Sequence, residues 1–345
     1  MKVIIASTIV PFIEGGGTFI VDWLETMLTE FGHDVEVLKI PFVSSYRELP
    51  SQMLALRLLD VTQHADRLIT IRPPAHLLRH PNKVIWFIHH HRGAYDLWGT
   101  IYQDLPNTPE GLAYREAIVK SDHLGFSEAR RICSNSRETA QRLKTFNDID
   151  AEVLYPPVIR PERYRCESYG DCILYMSRIA HHKRQALAIE SMRYTRTAVK
   201  LTIAGKGDDP ADEESLRIEV AKHGVEDKVV LHFGWISEEE KVELFADCLA
   251  AIYIPFNEDS YGYPSLEAHH AGKAVITTTD AGGTKELIVN GENGFVVEPS
   301  PQAIAESMDR LYLDRSLARK LGQAGIHRIK KLGISWPHVI DRLIA

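Results

Sequence analysis

The sequence contains little cysteine. Its four cysteines among 345 residues are widely spaced, and no two of them form a Cys-x-x-Cys pair. This spacing excludes the usual patterns of a disulfide framework or a structural zinc site. We expect reduced thiols that are buried as small apolar side chains. The positions are Cys133, Cys166, Cys172 and Cys248.

The sequence also lacks a basic excess and long apolar runs. Lys and Arg number 40 against 47 Asp and Glu, which disfavours a nucleic-acid partner. No apolar run reaches the roughly 18 residues that span a bilayer. The opening KVIIASTIV is followed by EGGG, which is unlike a signal peptide. We expect a cytoplasmic protein.

Short apolar runs recur along the chain, each followed by a segment with helical spacing. This alternation predicts an α/β fold with parallel sheets that are covered on both faces. The proline-rich stretch at 156–161 is the best candidate for a linker. The runs are KVIIAST, DVEVLKI, RLITI, KVIWFI, RRICSNS, AEVLY, CILYMS, VKLTIAG, KVVLHF, LAAIYI, KAVITT and GFVV.

Two doubly wound, Rossmann-like domains are therefore predicted. The first covers residues 1–158 and the second covers residues 159–334. The segment 335–345 is predicted to be a closing helix, capped by Ser335, that packs back on one of them.

The stretch DSYGYPSLEAHH combines features of an anion site. Pro264 suits the first turn of a helix and Gly262 lets the chain bend into it, so a helix is predicted to start near Tyr263. Such a helix N-terminus binds phosphate. The flanking carboxylates, Asp259 and Glu267, would then face neutral donors such as sugar hydroxyls, and together these features suggest a sugar nucleotide. For Glu267 alone, complementarity to the helix dipole is the alternative.

Two cations follow the apolar run CILYMS. Arg178 comes directly after the run and Lys183 stands five residues later. Arg grips phosphate oxygens with two donors and Lys adds a mobile point charge, so together they would neutralise a diphosphate leaving group. Two solvated surface cations are the alternative.

Two glycine loops follow predicted strands. Gly15, Gly16 and Gly17 precede the first helix, and Gly205 opens the loop GKGDD. Glycine permits close approach of the backbone to a ligand, but neither loop matches Gly-x-Gly-x-x-Gly, and a plain turn is the alternative.

The segments SRIAHHK and LTIAGKGD, and the long stretch from VVLHFGWISEEEK to NGENGFVV, resemble retaining glycosyltransferases of family 4. The segment GGGTFIVDWLETMLTEFGHDVEV shares the resemblance. It implies the GT-B fold, in which two doubly wound Rossmann-like domains face each other across a cleft. The first domain would bind the acceptor and the second would bind the nucleotide sugar.

The resemblance also assigns roles to residues. Glu267 would bind the ribose hydroxyls and Asp259 the transferred sugar, although the family has Glu where this chain has the shorter Asp259. Arg178 and Lys183 would hold the distal phosphate. Ile236 would offer backbone groups to the nucleobase. The other donor-binding positions are Gly262, Tyr263, Pro264, Ser265, Gly205, Gly16 and Gly17.

The segment FIHHHRGAYD resembles the acceptor side of the family's site. The candidate catalytic residues are Arg178, Lys183, Asp259 and His89. Among the histidines, His90 is a close second to His89. His90 and Arg92 are candidate acceptor-binding residues. A hydrogen-bonded structural histidine is the alternative. Adjacent strand residues point to opposite faces, so the three histidines are not expected to chelate one metal ion.

We expect neither a metal ion nor a cofactor. Asp148 and Asp150 form the one Asp-x-Asp pattern, which many metal-dependent glycosyltransferases use. We interpret it as coincidence, because Arg178 and Lys183 already supply the positive charge.

The implied reaction moves a hexosyl unit from a UDP- or GDP-linked sugar to a hydroxyl, with retention of the anomeric configuration. The acceptor would be a saccharide, a lipid-linked saccharide or a small molecule, in glycan, polysaccharide or glycolipid biosynthesis. The segment YPPV resembles some mannosyltransferases, so GDP-mannose stands beside UDP-glucose as a candidate donor. The alternatives are a nucleotide-sugar 2-epimerase and a non-catalytic sugar-nucleotide-binding protein.

The segment SQMLALRLLDVTQHADRLI is a candidate for peripheral contact with a membrane. A helix that faces the core is the favoured alternative.

Overall fold

The computed structural model describes residues 1–11, 16–43, 45–100 and 103–345. The chain forms two units. The first comprises Met1–Pro156 together with Ile334–Ala345, and the second comprises Pro157–Gly333.

The first unit contains a parallel sheet of six strands in the order β2-β1-β3-β4-β5-β6. Its strands are β1 (Lys2–Ile9), β2 (Asp34–Pro41), β3 (Arg67–Thr70), β4 (Lys83–Phe87), β5 (Arg131–Ser134) and β6 (Glu152–Val153). Its helices are α1 (Gly16–Glu30), α2 (Leu49–Leu58), α3 (Pro109–Ser127), α4 (Arg137–Asn147) and α12 (Trp336–Ile344). The strands β3 and β4 are buried along their whole length, as expected for a parallel sheet covered on both faces.

The second unit repeats this architecture, with the strand order β12-β11-β10-β7-β8-β9. Its strands are β7 (Cys172–Met176), β8 (Lys200–Gly205), β9 (Val229–Phe233), β10 (Ala250–Ile252), β11 (Val275–Thr278) and β12 (Gly294–Val297). Its helices are α5 (Gln185–Ser191), α6 (Pro210–His223), α7 (Glu238–Asp247), α8 (Tyr263–His270), α9 (Thr284–Leu287), α10 (Pro301–Leu313) and α11 (Arg315–Lys331).

The strand order of the second unit contains a reversal between β7 and β10. The chain runs outward from β7 through β8 to β9, then returns to β10 on the other side of β7 and runs outward again. In doubly wound sheets, ligands bind at the carboxyl ends of the strands where the order reverses. The segments that follow β7 and β10 are therefore where a ligand is expected.

The last helix of the chain packs on the first unit. Trp336, at the start of α12, contacts Trp86 of β4 edge to face, with ring centroids 6.4 Å apart. The guanidinium of Arg67 donates to the carbonyls of Leu343 and Ile344, which end the helix. Ser335 occupies the N-cap position as predicted, but its side chain makes no capping hydrogen bond.

The twelve predicted apolar runs coincide with the twelve strands among the described residues, and the prediction of α/β parallel sheets is confirmed. Helix α2 directs Leu49, Met53 and Leu56 into the core of the first unit. Within the described ranges, no helix combines the length and the apolar character that crossing a membrane requires.

The four cysteines are all free, but one departs from expectation. Cys133 and Cys248 are buried and Cys172 is partly buried. Cys166 is exposed because it lies in the irregular segment that precedes β7, so the prediction of burial was wrong there.

Candidate active site at the strand reversal of the second sheet

The two cations predicted to hold phosphate lie in the segment after β7. Lys183 ends a single 3₁₀ turn, His181–Lys183, and the next residue, Arg184, adopts a left-handed backbone conformation with φ of 59°. Arg184 donates to the carbonyls of Ile254 and Pro255, at 2.8 and 3.0 Å, and pairs with Asp280. These bonds join the segment after β7 to the segment after β10.

Lys183 meets a carboxylate and a phenol from the segment after β10. Its ammonium forms an ion pair with Glu258 and donates to the Tyr253 hydroxyl at 2.8 Å. The Tyr253 hydroxyl in turn donates to Glu258 at 2.9 Å. The ammonium is thus held in place by two partners, and its side chain is only 12% exposed.

The charges in this cluster support one another. Burial opposes ionisation of Glu258, but the Lys183 ammonium and hydrogen bonds outweigh burial and lower the pKa of Glu258 to about 2. Burial and the same carboxylate raise the pKa of the Tyr253 phenol well above its usual value. At neutral pH, Glu258 is therefore a carboxylate and Tyr253 a neutral phenol.

Arg178 lies near the start of the segment after β7 and pairs with Asp208 of the predicted glycine loop. Gly205 has a φ of +148°, and a Cβ there would stand 2.0 Å from the Ser177 carbonyl oxygen. The loop lies directly against the backbone that carries Arg178, and for this reason only glycine fits at position 205.

Helix α8 begins at the predicted position, with Gly262 at its N-cap and Pro264 in its first turn. Gly262 has a φ of +73°, and a Cβ there would stand 2.2 Å from the Tyr253 ring. The phenol that contacts Lys183 therefore also packs against the start of α8.

Ser265 occupies the first turn of α8 and carries an unsatisfied hydroxyl. Its side chain is fully buried, and its Oγ has no hydrogen-bond partner among the described residues. Buried polar atoms are nearly always paired, so an unpaired hydroxyl at a helix N-terminus is a reason to expect a ligand there.

Glu267 lies two residues after Ser265 on α8 and is buried against a lysine. The Lys241 ammonium of α7 contacts Glu267 at 2.6 Å and Glu238 at 2.7 Å. Burial opposes the charge on Lys241, but Glu267 and Glu238 outweigh it and raise the pKa of Lys241. Burial and the Glu267 carboxylate also raise the pKa of the neighbouring Tyr164 phenol.

Three further predicted donor residues occupy the same unit. Asp259 follows Glu258 directly and is partly buried, as is Tyr263. Ile236 stands immediately before Ser237, the N-cap of α7, and is partly buried. The predicted roles of Asp259, Tyr263 and Ile236 stay predictions.

The predicted acceptor residues lie in the first unit, after β4. His89 contacts the His90 carbonyl at 2.8 Å through Nδ1, and Arg92 pairs with Asp96 at 2.6 Å. His90 is only 2% exposed, contacts Asn147 at 2.8 Å, and burial lowers its pKa to about 4. Burial favours the structural alternative for His90, and its contact with an acceptor stays a prediction.

The glycines before the first helix are described only in part. Gly16 and Gly17 are the first residues of α1, and Gly15 lies outside the described residues. A Cβ at Gly17 would stand 3.2 Å from the side chain of Arg72, which follows β3. The contact of Gly16 and Gly17 with a donor stays a prediction.

The Asp-x-Asp pattern has a structural partner of its own. Asp148 and Asp150 both pair with Lys144, at 2.7 and 2.9 Å, and their side chains are 89% and 85% exposed. In the described part of the chain, no group of three or more His, Cys, Asp or Glu side chains is placed to hold a metal ion.

Sequence reasoning missed three residues of the site: Tyr253, Glu258 and Lys241. Glu258 stands next to Asp259, and the spacing to Glu267 directed attention to Asp259 alone. Lys241 follows three consecutive glutamates and is typical of a solvated helix face. The one available signal was position: Tyr253 is the last residue but one of the apolar run LAAIYI, and Glu258 follows the run by four residues, near the edge where a ligand was expected.

The chain is similar in sequence to known glycosyltransferases. Residues 167–328 match the family model described as "Glycosyl transferases group 1". The chain is 30% identical over 243 residues to the alpha-1,3/1,6-mannosyltransferase of Mus musculus, which covers 63% of this chain and 58% of that protein. It is 33% identical over 87 residues to the capsular polysaccharide biosynthesis glycosyltransferase of Staphylococcus aureus, 25% of this chain and 23% of that protein. The matches thus span little more than half of the mouse protein and about a quarter of the bacterial one.

Solved structures share the fold of the whole chain. A sucrose-phosphate synthase from Thermosynechococcus elongatus superposes with a TM-score of 0.78 at 17% identity, over 99% of this chain and 97% of that chain. The Anabaena protein HepE, crystallised with UDP and glucose, superposes with a TM-score of 0.71 at 15% identity, over 99% and 98% of the two chains. These neighbours confirm the predicted GT-B fold. Most of the second unit thus matches the model of the glycosyl transferases group 1 family, and the chain has the fold of the GT-B glycosyltransferases.

Proposed function

We propose that the chain transfers a hexosyl unit from a nucleoside diphosphate sugar, UDP- or GDP-linked, to a hydroxyl acceptor. One observation carries the proposal. At the strand reversal of the second sheet, the Lys183 ammonium and the start of α8 meet around the Tyr253 ring, and the Ser265 hydroxyl there is buried and unpaired. Positive charge, a helix N-terminus and an unsatisfied hydroxyl together suit a phosphate group.

The donor would lie along the carboxyl edge of the second sheet. Its distal phosphate would occupy the start of α8, with Lys183 and Arg178 as the cations. Its ribose would face Glu267, and the base would approach Ile236 at the start of α7. Asp259, between Glu258 and α8, would face the sugar.

The proposed chemistry needs charge stabilisation more than a nucleophile. The bond between the anomeric carbon and the phosphate oxygen breaks, and a bond from that carbon to the acceptor oxygen forms. The acceptor proton passes to the released phosphate oxygen on the same face of the sugar, so the configuration is retained. Negative charge that develops on the diphosphate would meet the Lys183 ammonium, the Arg178 guanidinium and the dipole of α8.

The carboxylates that pair with these cations fit such a role. Lys183 pairs with Glu258, and Arg178 pairs with Asp208. A preorganised cation held by a fixed partner needs little reorganisation when charge develops nearby. We assign the acceptor to the first unit, with His89 and Arg92 as the candidate contacts, and we propose a reaction without a metal ion.

The relatives suggest which donors to test. The mouse relative is named as a mannosyltransferase, and HepE was crystallised with UDP and glucose. GDP-mannose and UDP-glucose are therefore the first two candidates.

Product analysis tests the proposal. The purified protein is incubated with GDP-mannose or UDP-glucose, with and without simple saccharide acceptors, and the anomeric configuration of the product is read by proton NMR. We expect a transfer product, or slowly released free sugar, with retained configuration. A 2-epimerised donor would instead indicate an epimerase, and binding without turnover for every acceptor would indicate a non-catalytic binder.

The matched variants are Lys183→Met and Lys222→Met. Lys222 also pairs with a glutamate, Glu219, but its side chain is 60% exposed on α6. Loss of turnover in the first variant and normal turnover in the second would tie the activity to the proposed phosphate site.

A further inference from the structure

Lys241 is buried, although it lies on a helix that begins with three glutamates and would be expected to face solvent. Its side chain is only 10% exposed, and its ammonium lies between Glu238, which is 36% exposed, and Glu267, which is 3% exposed. A buried carboxylate without a cation is strongly unfavourable, and the Lys241 ammonium is the cation that contacts Glu267.

The pair joins two elements that border the proposed donor site. Glu267 lies on α8, two residues after Ser265 with its unsatisfied hydroxyl. Lys241 lies on α7, whose N-cap residue Ser237 follows Ile236 directly. The Lys241 ammonium on α7 contacts the Glu267 carboxylate on α8 at 2.6 Å. Through this contact, the helix next to the proposed base position holds the carboxylate in place.

We infer that Lys241 is a positioning residue for the donor: it holds the Glu267 carboxylate in one orientation, in which it accepts hydrogen bonds from the ribose hydroxyls. This inference rests on the proposed function, because it requires a nucleotide at the second sheet. Lys241 itself would not touch the donor.

The chemistry of the pair supports this role over a purely structural one. A carboxylate is an acceptor, and two adjacent ribose hydroxyls are its natural donors. A side chain that receives hydrogen bonds from a ligand is effective when its rotamer is already fixed before binding. A purely structural ion pair would affect the stability of the protein, but it would not affect the difference in affinity between nucleotides with and without ribose hydroxyls.

The experiment compares nucleotides with and without ribose hydroxyls. Binding of UDP, GDP and their 2′,3′-dideoxy analogues is measured by calorimetry for the wild-type protein and for Lys241→Met. We expect the wild type to bind the ribonucleotide about tenfold to a hundredfold more tightly than the dideoxy analogue, as is typical for hydrogen bonds to a charged group. In Lys241→Met, the ribonucleotide affinity should fall until this ratio approaches one, while the dideoxy affinity stays unchanged.

Two controls accompany the variant. Lys222→Met removes an exposed, glutamate-paired lysine and should leave the ratio at its wild-type value. Lys241→Gln replaces Lys241→Met in the experiment if the latter does not fold. The Gln amide can still donate a hydrogen bond to the Glu267 carboxylate, although it carries no charge. We expect the ratio in Lys241→Gln to lie below the wild-type ratio.

The outcomes separate this inference from the function on which it rests. A wild-type protein that discriminates, beside a folded Lys241 variant with the same ratio, would overturn the inference alone. An equal loss of affinity for ribonucleotide and dideoxy analogue would also overturn it, since that is the result of a general structural defect. A wild-type protein that binds no nucleotide would overturn the proposed function and the inference together.

Discussion

Gly262 is the residue on which the geometry of the proposed phosphate site most depends. Its φ of +73° places it in a region that favours glycine, and its missing Cβ makes room for the Tyr253 ring. Gly291 offers a comparison in the same unit, because it has a φ of +75° and nothing within 4 Å of an added Cβ. A side chain at either glycine would therefore strain the backbone to a similar degree. Only a side chain at Gly262 would also clash with a neighbouring residue.

Alanine substitution at both positions separates these costs. We expect Gly291→Ala to lower the free energy of unfolding by about 1 kcal/mol, through its backbone conformation alone. Gly262→Ala should cost about 1–3 kcal/mol more, because the ring must move, and should weaken nucleotide binding as well. Thermal denaturation and calorimetric titration with UDP and GDP measure the two effects. Equal losses of stability and intact binding would contradict the contact between Gly262 and Tyr253.

Glu258 is the residue whose ionisation should be visible in the pH dependence of stability. Its pKa of about 2 in the folded protein lies below the ordinary value of 4.5. A group with a lowered pKa contributes stability that is present above the unfolded value and is lost as pH falls through the folded one. Glu258 should therefore contribute about 3 kcal/mol above pH 4.5, and this contribution should disappear between pH 4.5 and pH 2.

The variant Glu258→Gln isolates that contribution. We expect the difference in melting temperature between the wild type and Glu258→Gln to be largest above pH 5 and to narrow on acidification. The exposed Glu292 provides a control, since Glu292→Gln should differ little from the wild type at any pH. A difference that stays constant from pH 6 to pH 3 would show that Lys183 does not stabilise the Glu258 carboxylate.

At the scale of elements, Arg184 joins the segments that follow β7 and β10. It donates to Ile254 and Pro255 and pairs with Asp280, so a single guanidinium spans three connections. Lys183, its neighbour in sequence, reaches Tyr253 and Glu258 only because these segments are held together. The strand reversal thus depends on Arg184 for its local order.

Arg184→Met should therefore disturb the site without touching a ligand. We expect a loss of about 2–4 kcal/mol in the free energy of unfolding, because carbonyls and a carboxylate lose a charged donor. Nucleotide affinity should fall with it. Arg193, which is exposed and lies over the Tyr194 ring, gives the matched control, and Arg193→Met should change neither quantity. Wild-type nucleotide affinity in a folded Arg184→Met would refute the linking role.

The elements themselves were largely predictable from the sequence, because their signals are local. The start of α8 follows from Gly262 and Pro264, and the strands follow from apolar runs. The partners of the site residues were not predictable in this way. Lys183 and Glu258 lie 75 residues apart, and Lys241 and Glu267 lie 26 apart, so their pairing depends on strand order and helix packing.

At the scale of the whole molecule, each unit carries a six-stranded parallel sheet, and the second carries the residues proposed for the donor. The order β12-β11-β10-β7-β8-β9 brings the segments after β7 and β10 together. No periodicity in the sequence encodes that order. The resemblance to a family implied the doubly wound fold but was not used to predict the strand order. The burial of His90 shows why the acceptor side was harder to predict: adjacent histidines look alike in sequence but differ in exposure.

In the proposed function, Lys183 and the start of α8 hold the distal phosphate of a nucleoside diphosphate. The most direct test is a calorimetric series of nucleoside, monophosphate and diphosphate, for the uridine and guanosine compounds. The series is measured on the wild type and on the double variant Lys183→Met/Glu258→Gln, which leaves no uncompensated charge. We predict that the wild type binds one diphosphate at least about tenfold more tightly than its monophosphate, and that the double variant binds the two about equally. A folded double variant that retains the wild-type preference for the diphosphate would contradict the claim.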